Sequence, residues 1–77
     1  MTVRLDAVGH LTADTVEELH AFAASVGLRR EWFQAHRLWH YDITTASKRR
    51  RAIRAGAVLV SPRDTVRHHP AHEARGS

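Results

Sequence analysis

"TVRLDAVGHLTADTVEELHAFAASVGL", residues 2–28, contains the change of period that decides the fold. Val3, Leu5 and Ala7 alternate with Arg4 and Asp6, the two-residue period of a strand with one buried face. Gly9 permits a turn, and "HLTA" can continue as extended chain. The period then lengthens. Asp14 and Thr15 are good N-caps, with Glu17 and Glu18 three residues after each in capping-box spacing. Val16, Leu19, Phe22, Ala23 and Val26 fall on one helical face. Gly27 suits the position after a helix end, and Leu28 the apolar contact that follows it. The spacing predicts a helix over 15–26.

Residues 27–43 show no clean period and read as a structured loop. "WFQAHRLWHYDIT", 32–44, gathers Trp32, Phe33, Trp39 and Tyr41 with His36, His40 and Asp42. Trp32, Phe33 and Tyr41 read as anchors tying this loop to the first helix. "TTASKRRRAIRAG", 44–56, is a second helix, capped by Thr44 or Thr45 and ended by Gly56. "AVLVS", 57–61, is a short apolar strand. Ser61 as cap and Pro62 at the first helical position begin a last short helix through about His68. The expectation is α+β: a small two-stranded sheet with two main helices and a short C-terminal helix. The two strands would pair directly, with helices on one face. Residues 1–67 would form a single domain and 68–77 a flexible tail containing His68, His69 and His72.

The chain has 77 residues and no cysteine, which excludes disulfides and thiolate metal sites. A chain this short buries only ~60% of its unfolded surface. A homodimer is therefore a live option. No apolar run approaches a membrane span, and the N-terminus lacks a signal-peptide core, so a cytoplasmic protein is expected. The net charge of +4 is unevenly spread: one Arg and four acids in 1–28, against eleven bases and four acids in 29–77. That asymmetry points to an anionic partner such as nucleic acid or a nucleotide, although an Arg- and Ala-rich composition also follows from GC-rich coding.

"HLTADTVEELHAFAASVGLRREWFQ", then "HYDIT" and "KRRRAIRAGAV", resemble the family of domains of unknown function numbered 4031. The family comprises small proteins of bacteriophages and of bacteria, especially actinobacteria. The resemblance covers roughly residues 10–61. It implies a domain type and a phage or bacterial origin, not a chemistry. The matching positions are His10, Asp14, His20, Trp32, Phe33, Gln34, His40, Tyr41, Asp42, one Arg of 49–51, and Gly56. Two loops are shorter than the family pattern: only "DAVG" precedes His10, and only "AHRLW" separates "WFQ" from "HYD".

Two groups of residues could carry chemistry. His10, Asp14, His40 and Asp42 lie near the ends of predicted elements. They would suit acid–base hydrolysis, as in a nuclease, or hold a divalent ion. Their spacing matches no known metal motif, so no cofactor is assigned. Structural roles compete at each position, since Asp14 and Asp42 can cap helices and His40 can bond to backbone. The second group is "KRRRAIR", 48–54, with five bases and no acid. Arg50 and Arg54 share one helical face, Lys48 and Arg51 another, and either face could follow a phosphate backbone. A solvated surface is the competing reading. Neither a Gly-x-Ser-x-Gly elbow nor a Gly-rich phosphate loop is present. The lead expectation is binding of an anionic partner. A His/Asp hydrolase is one alternative, and a phage accessory protein that binds a host protein is the other.

Overall fold

The computed structural model describes residues 2–71. Its strands are β1 (Val3–Asp6), β2 (His10–Ala13), β3 (Phe33–Gln34), β4 (His40–Asp42) and β5 (Val58–Val60). Its helices are α1 (Val16–Ser25), α2 (Ala46–Arg54) and α3 (Pro62–His68), with a 3-10 turn at Arg30–Trp32. Together the strands form one mixed sheet in the order β3-β4-β2-β1-β5.

The α+β class holds, but the sheet has five strands rather than two. β1 and β5 do pair directly, in parallel, with Leu5 beside Leu59. "HLTA" is not a passive extension: it turns back antiparallel on β1, with Leu5 opposite Leu11 and Val3 opposite Ala13. The turn depends on Gly9, at φ +110°, where a side chain is strained. β3 and β4 arise inside the stretch that reads as a loop. Strands of two and three residues are too short to display a period, and what defines them is pairing. Phe33 lies opposite Tyr41 and Gln34 opposite His40, so "WFQ" and "HYD" are neighbouring strands in register.

Helix caps follow the sequence closely. Thr15 Oγ1 accepts from the Glu18 N–H, Thr45 Oγ1 from the Lys48 N–H, and Ser61 Oγ from the Asp64 N–H. Each satisfies an otherwise unpaired helix N–H.

Alternation along the strands gives the sheet two unlike faces. Val3, Leu5, Leu11, Ala13 and Tyr41 point to the apolar side, where they meet Leu19 and Ala23 of α1, Val26 at its C-cap and Ala52 of α2. Four of the twelve buried apolar residues are alanines. The larger ones therefore carry most of the burial energy, roughly 1.5–3 kcal/mol each. Tyr41 is the largest of them, and Phe33 and Trp39 pack against the cluster. Trp32 does not behave as an anchor: it lies in the 3-10 turn, 39% exposed.

The opposite face carries Arg4, Asp6, His10, Thr12, His40 and Asp42. Helices do not all lie on one face, because α3 crosses this polar side and Thr65 donates to Asp6 at 2.7 Å. Of the tail expected over 68–77, residues 72–77 lie outside the described residues. His69 is buried, with its Nε2–H donating to the Trp39 carbonyl at 2.8 Å. Among the described residues, no helix is long and apolar enough to cross a membrane.

Candidate functional site

The centre of the polar face is Asp6, at the end of β1. Its side chain is wholly buried. Oδ1 accepts from the N–H groups of Val8, Gly9 and His10, at 2.9–3.0 Å. Oδ2 accepts from Thr65 Oγ1 at 2.7 Å and lies 2.9 Å from His10 Nδ1. Burial pushes the carboxyl's pKa up, yet the bonds from Thr65, His10 and Gly9 together hold it below its ordinary value. Asp6 is therefore an ionised carboxylate, and the proton on the facing imidazole belongs on Nδ1. That leaves Nε2 as the His10 nitrogen not engaged by Asp6.

His40 lies one strand away on β4. Its ring meets that of His10 edge to face, with centroids 5.0 Å apart. Nδ1 is 3.0 Å from the Leu38 carbonyl, which can only accept. Its proton therefore sits on Nδ1, and Nε2 faces Asp42 Oδ1 at 3.2 Å. Asp42 is directly opposite His10 in the β2–β4 ladder. One donor atom from each of His10, His40 and Asp42 lies within 4.8 Å of the others.

The cleft beside these rings has a volume of about 130 Å³ and is lined by His10, Thr12, Leu38, His40, Thr65, Val66 and His69. A more open hollow of about 310 Å³ is lined by Asp42 together with Glu31, Trp32, Gln34 and Thr44. His69 contributes structure here. Its Nε2–H donates to Trp39, its Nδ1 accepts from the Ala71 N–H, and its ring packs edge-on against Trp39 at 4.4 Å. Burial keeps this ring neutral, against the opposing effect of the Trp39 carbonyl.

Of the four residues expected to share a site, three converge. Asp14 lies past the far end of β2, where it accepts from Arg4 Nη1 at 3.0 Å and the Thr2 N–H at 3.1 Å. The Arg4 bond holds its pKa down. Among the basic residues of α2, Arg50, Arg51 and Arg54 are exposed and Lys48 is half-buried. Arg49 turns inward and donates to the backbone carbonyl of Asp6 at 2.8 Å.

Sequence reasoning missed Asp6, which strand alternation assigns to the solvent side. The available signal was its spacing: an Asp three residues before a turn glycine can bind the turn's own N–H groups. Thr65 and His69, on and beside the last helix, gave no comparable signal.

The family model for "Protein of unknown function (DUF4031)" matches residues 1–72. The chain belongs to this family. No curated protein and no solved structure matches it. In this DUF4031 chain, the residues carried over from the motif divide cleanly. Phe33, Gln34, His40, Tyr41, Asp42 and His10 sit on three adjacent strands, β3, β4 and β2. His20 lies beneath them on α1, where its Nδ1 bonds the Tyr41 hydroxyl at 2.7 Å. In this DUF4031 chain the "DAVG" segment makes the β1–β2 turn, closed by Gly9 N–H to the Asp6 carbonyl at 3.2 Å.

Proposed function

We propose that this protein binds a phosphate-bearing ligand, a nucleotide or a nucleic-acid strand, and hydrolyses its phosphoester in the cleft of His10, His40 and Asp42. The observation that carries the reading is the Asp6–His10 contact at 2.9 Å. A buried carboxylate, itself fixed by three turn N–H groups and the Thr65 hydroxyl, gives its remaining contact to one imidazole and holds it in one tautomer, with Nε2 left for chemistry. A purely structural histidine needs no such support, whereas catalytic and ligating histidines are oriented in this way. Two imidazole lone pairs and a carboxylate oxygen form a Lewis-basic set, suited to activating an attacking water. The exposed Arg50, Arg51 and Arg54 of α2, with Lys48, supply charge for a polyanionic strand that extends beyond the cleft.

The test uses a chromogenic phosphodiester, a panel of nucleotides and short single- and double-stranded oligonucleotides. Wild type is expected to hydrolyse at least one of these. His40→Ala is expected to lose turnover while keeping the far-UV spectrum of the native fold. Absence of turnover by wild type throughout the panel, with divalent ions supplied, overturns the hydrolytic reading.

A further inference from the structure

We infer that His10, His40 and Asp42 form a binding site for one divalent first-row transition-metal ion of the zinc type. The inference deepens the reading above, since the ion would be what turns the cleft's lone pairs toward a phosphate ligand. It can nevertheless fail or stand separately.

The first support is how the two rings are held. His10 is fixed through Nδ1 by the Asp6 carboxylate and His40 through Nδ1 by the Leu38 carbonyl. Metal-bound histidines are held this way, with the nitrogen not used for the metal donating to a carboxylate or a backbone carbonyl. Both rings are thereby set to offer Nε2. His69 provides the contrast, because both its nitrogens are already engaged, by Trp39 and by Ala71.

The second support is the spacing of the donor atoms. His40 Nε2 lies 3.2 Å from Asp42 Oδ1, and one donor atom from each of His10, His40 and Asp42 lies within 4.8 Å of the others. At metal–ligand bonds of ~2.0–2.1 Å, a 3.2 Å separation subtends roughly 100°, near the tetrahedral angle of a zinc site.

The third support is charge. The residues lining the cleft include no Lys or Arg, while the Asp6 carboxyl bonds two of its lining residues, His10 and Thr65, and Asp42 faces a third, His40. A phosphate entering there would meet carboxylates, and a divalent ion reverses that sign. Three protein ligands leave coordination positions open, as in catalytic rather than structural zinc sites, and the hollow at Asp42 gives access to them. Two nitrogens and one oxygen favour zinc, cobalt or nickel over magnesium or calcium, which take oxygen ligands.

The experiment titrates cobalt(II) into the full chain and follows its visible absorption, with zinc(II) added as competitor. The expected result is one ion per chain, displaced by zinc. Binding is expected to weaken at least tenfold in Asp42→Ala and in His40→Ala, with far-UV spectra unchanged. The triple variant His36→Ala, His68→Ala, His72→Ala removes the other exposed or tail histidines and is expected to bind like wild type. Asp42 is exposed, so its removal leaves the fold intact and keeps the test sharp. Loss of binding in the triple variant with retention in Asp42→Ala overturns the site. So does the lack of any cobalt spectrum with wild type. Hydrolysis that survives exhaustive chelation overturns the metal while leaving the proposed activity standing. Metal binding without hydrolysis of any phosphoester does the reverse.

Discussion

Asp6 and His10 meet across the β1–β2 turn, Oδ2 to Nδ1 at 2.9 Å, with the carboxylate wholly buried and the imidazole about one-third exposed to the cleft. The pair fixes the chemistry of His10 through its tautomer. Asp6→Asn would present an amide NH₂ where two donors, His10 and Thr65, now converge. The imidazole then has to accept at Nδ1 and carry its proton on Nε2, which removes the outward lone pair. Nitrogen-15 spectra of the His10 ring are expected to show Nδ1 protonated in wild type and Nε2 protonated in Asp6→Asn. The substitution is also expected to cost roughly 2–3 kcal/mol in urea unfolding, since it weakens a buried charge-assisted network. Thr65→Val, which removes one donor only, should cost about 1 kcal/mol and leave the tautomer unchanged.

Acid should weaken the fold in two separate steps. His69 is buried, and its pKa is held below the ordinary histidine value. Above about pH 6.5 it is neutral whether the chain is folded or unfolded, so the stability it favours is fully present. As pH falls below that value, the unfolded chain takes up a proton that the folded chain refuses. Stability then drops by up to about 1.4 kcal/mol per pH unit until the folded value is passed. Asp6, whose pKa is also lowered, stabilises the fold above the ordinary carboxylate value near 3.8 and loses that contribution below it. Urea midpoints measured from pH 8 to pH 3 are expected to fall first below about 6.5 and again below about 4. In His69→Gln the first step should shrink, with the part due to His20 remaining, because burial lowers that ring's pKa as well.

What could be read from the sequence followed the range of the interactions involved. Thr15, Thr45 and Ser61 each bond an N–H three residues on, so their caps are visible in local spacing. Leu5 and Leu19 declare themselves through period. β3 and β4 do not, because Phe33 and Tyr41 are defined as strand residues only by each other, eight positions apart. The site divides in the same way. His10, His40 and Asp42 stand near element ends, and residue chemistry picks them out. Asp6 occupies what reads as the solvent side of a strand with one buried face. It becomes central because α3 returns fifty-nine residues later to cover it with Thr65. Asp14 has the right chemistry at the wrong end of β2, and nothing in the spacing distinguishes the two ends.

The basic residues of α2 should separate into two kinds. Arg49 spends its guanidinium on the Asp6 carbonyl, so Arg49→Ala is expected to lower stability by about 1 kcal/mol, whatever the ligand. Arg50 and Arg54 are exposed and contribute charge to solvent. Arg50→Ala with Arg54→Ala should leave the urea midpoint within about 0.5 kcal/mol of wild type. The same pair should reduce nucleic-acid retention and lower the slope of log affinity against log salt by about 0.7–0.9 for each phosphate no longer neutralised. Wild type that retains no oligonucleotide at low salt would remove nucleic acid from the ligands this protein binds.

Gly9 and Gly56 share φ +110° and should still respond very differently to alanine. Backbone strain is common to both, and at Gly56 it acts alone, because a Cβ there meets nothing within 4 Å. Gly56→Ala should therefore cost roughly 1–2 kcal/mol. At Gly9 a Cβ would sit 2.5 Å from the Ile43 carbonyl oxygen, a backbone atom that cannot swing aside. Relief requires separating Gly9 from Ile43, and that breaks the Ile43 N–H bond to the Gly9 carbonyl at 2.8 Å. It also displaces two of the N–H groups that hold Asp6, those of Gly9 and His10. Gly9→Ala should cost at least about 3 kcal/mol, the sum of strain and a broken buried bond. Thermal unfolding of the two variants side by side measures the difference. Equal melting temperatures would mean that the β1–β2 turn is not held against Ile43, and that the anchoring of His10 does not depend on it.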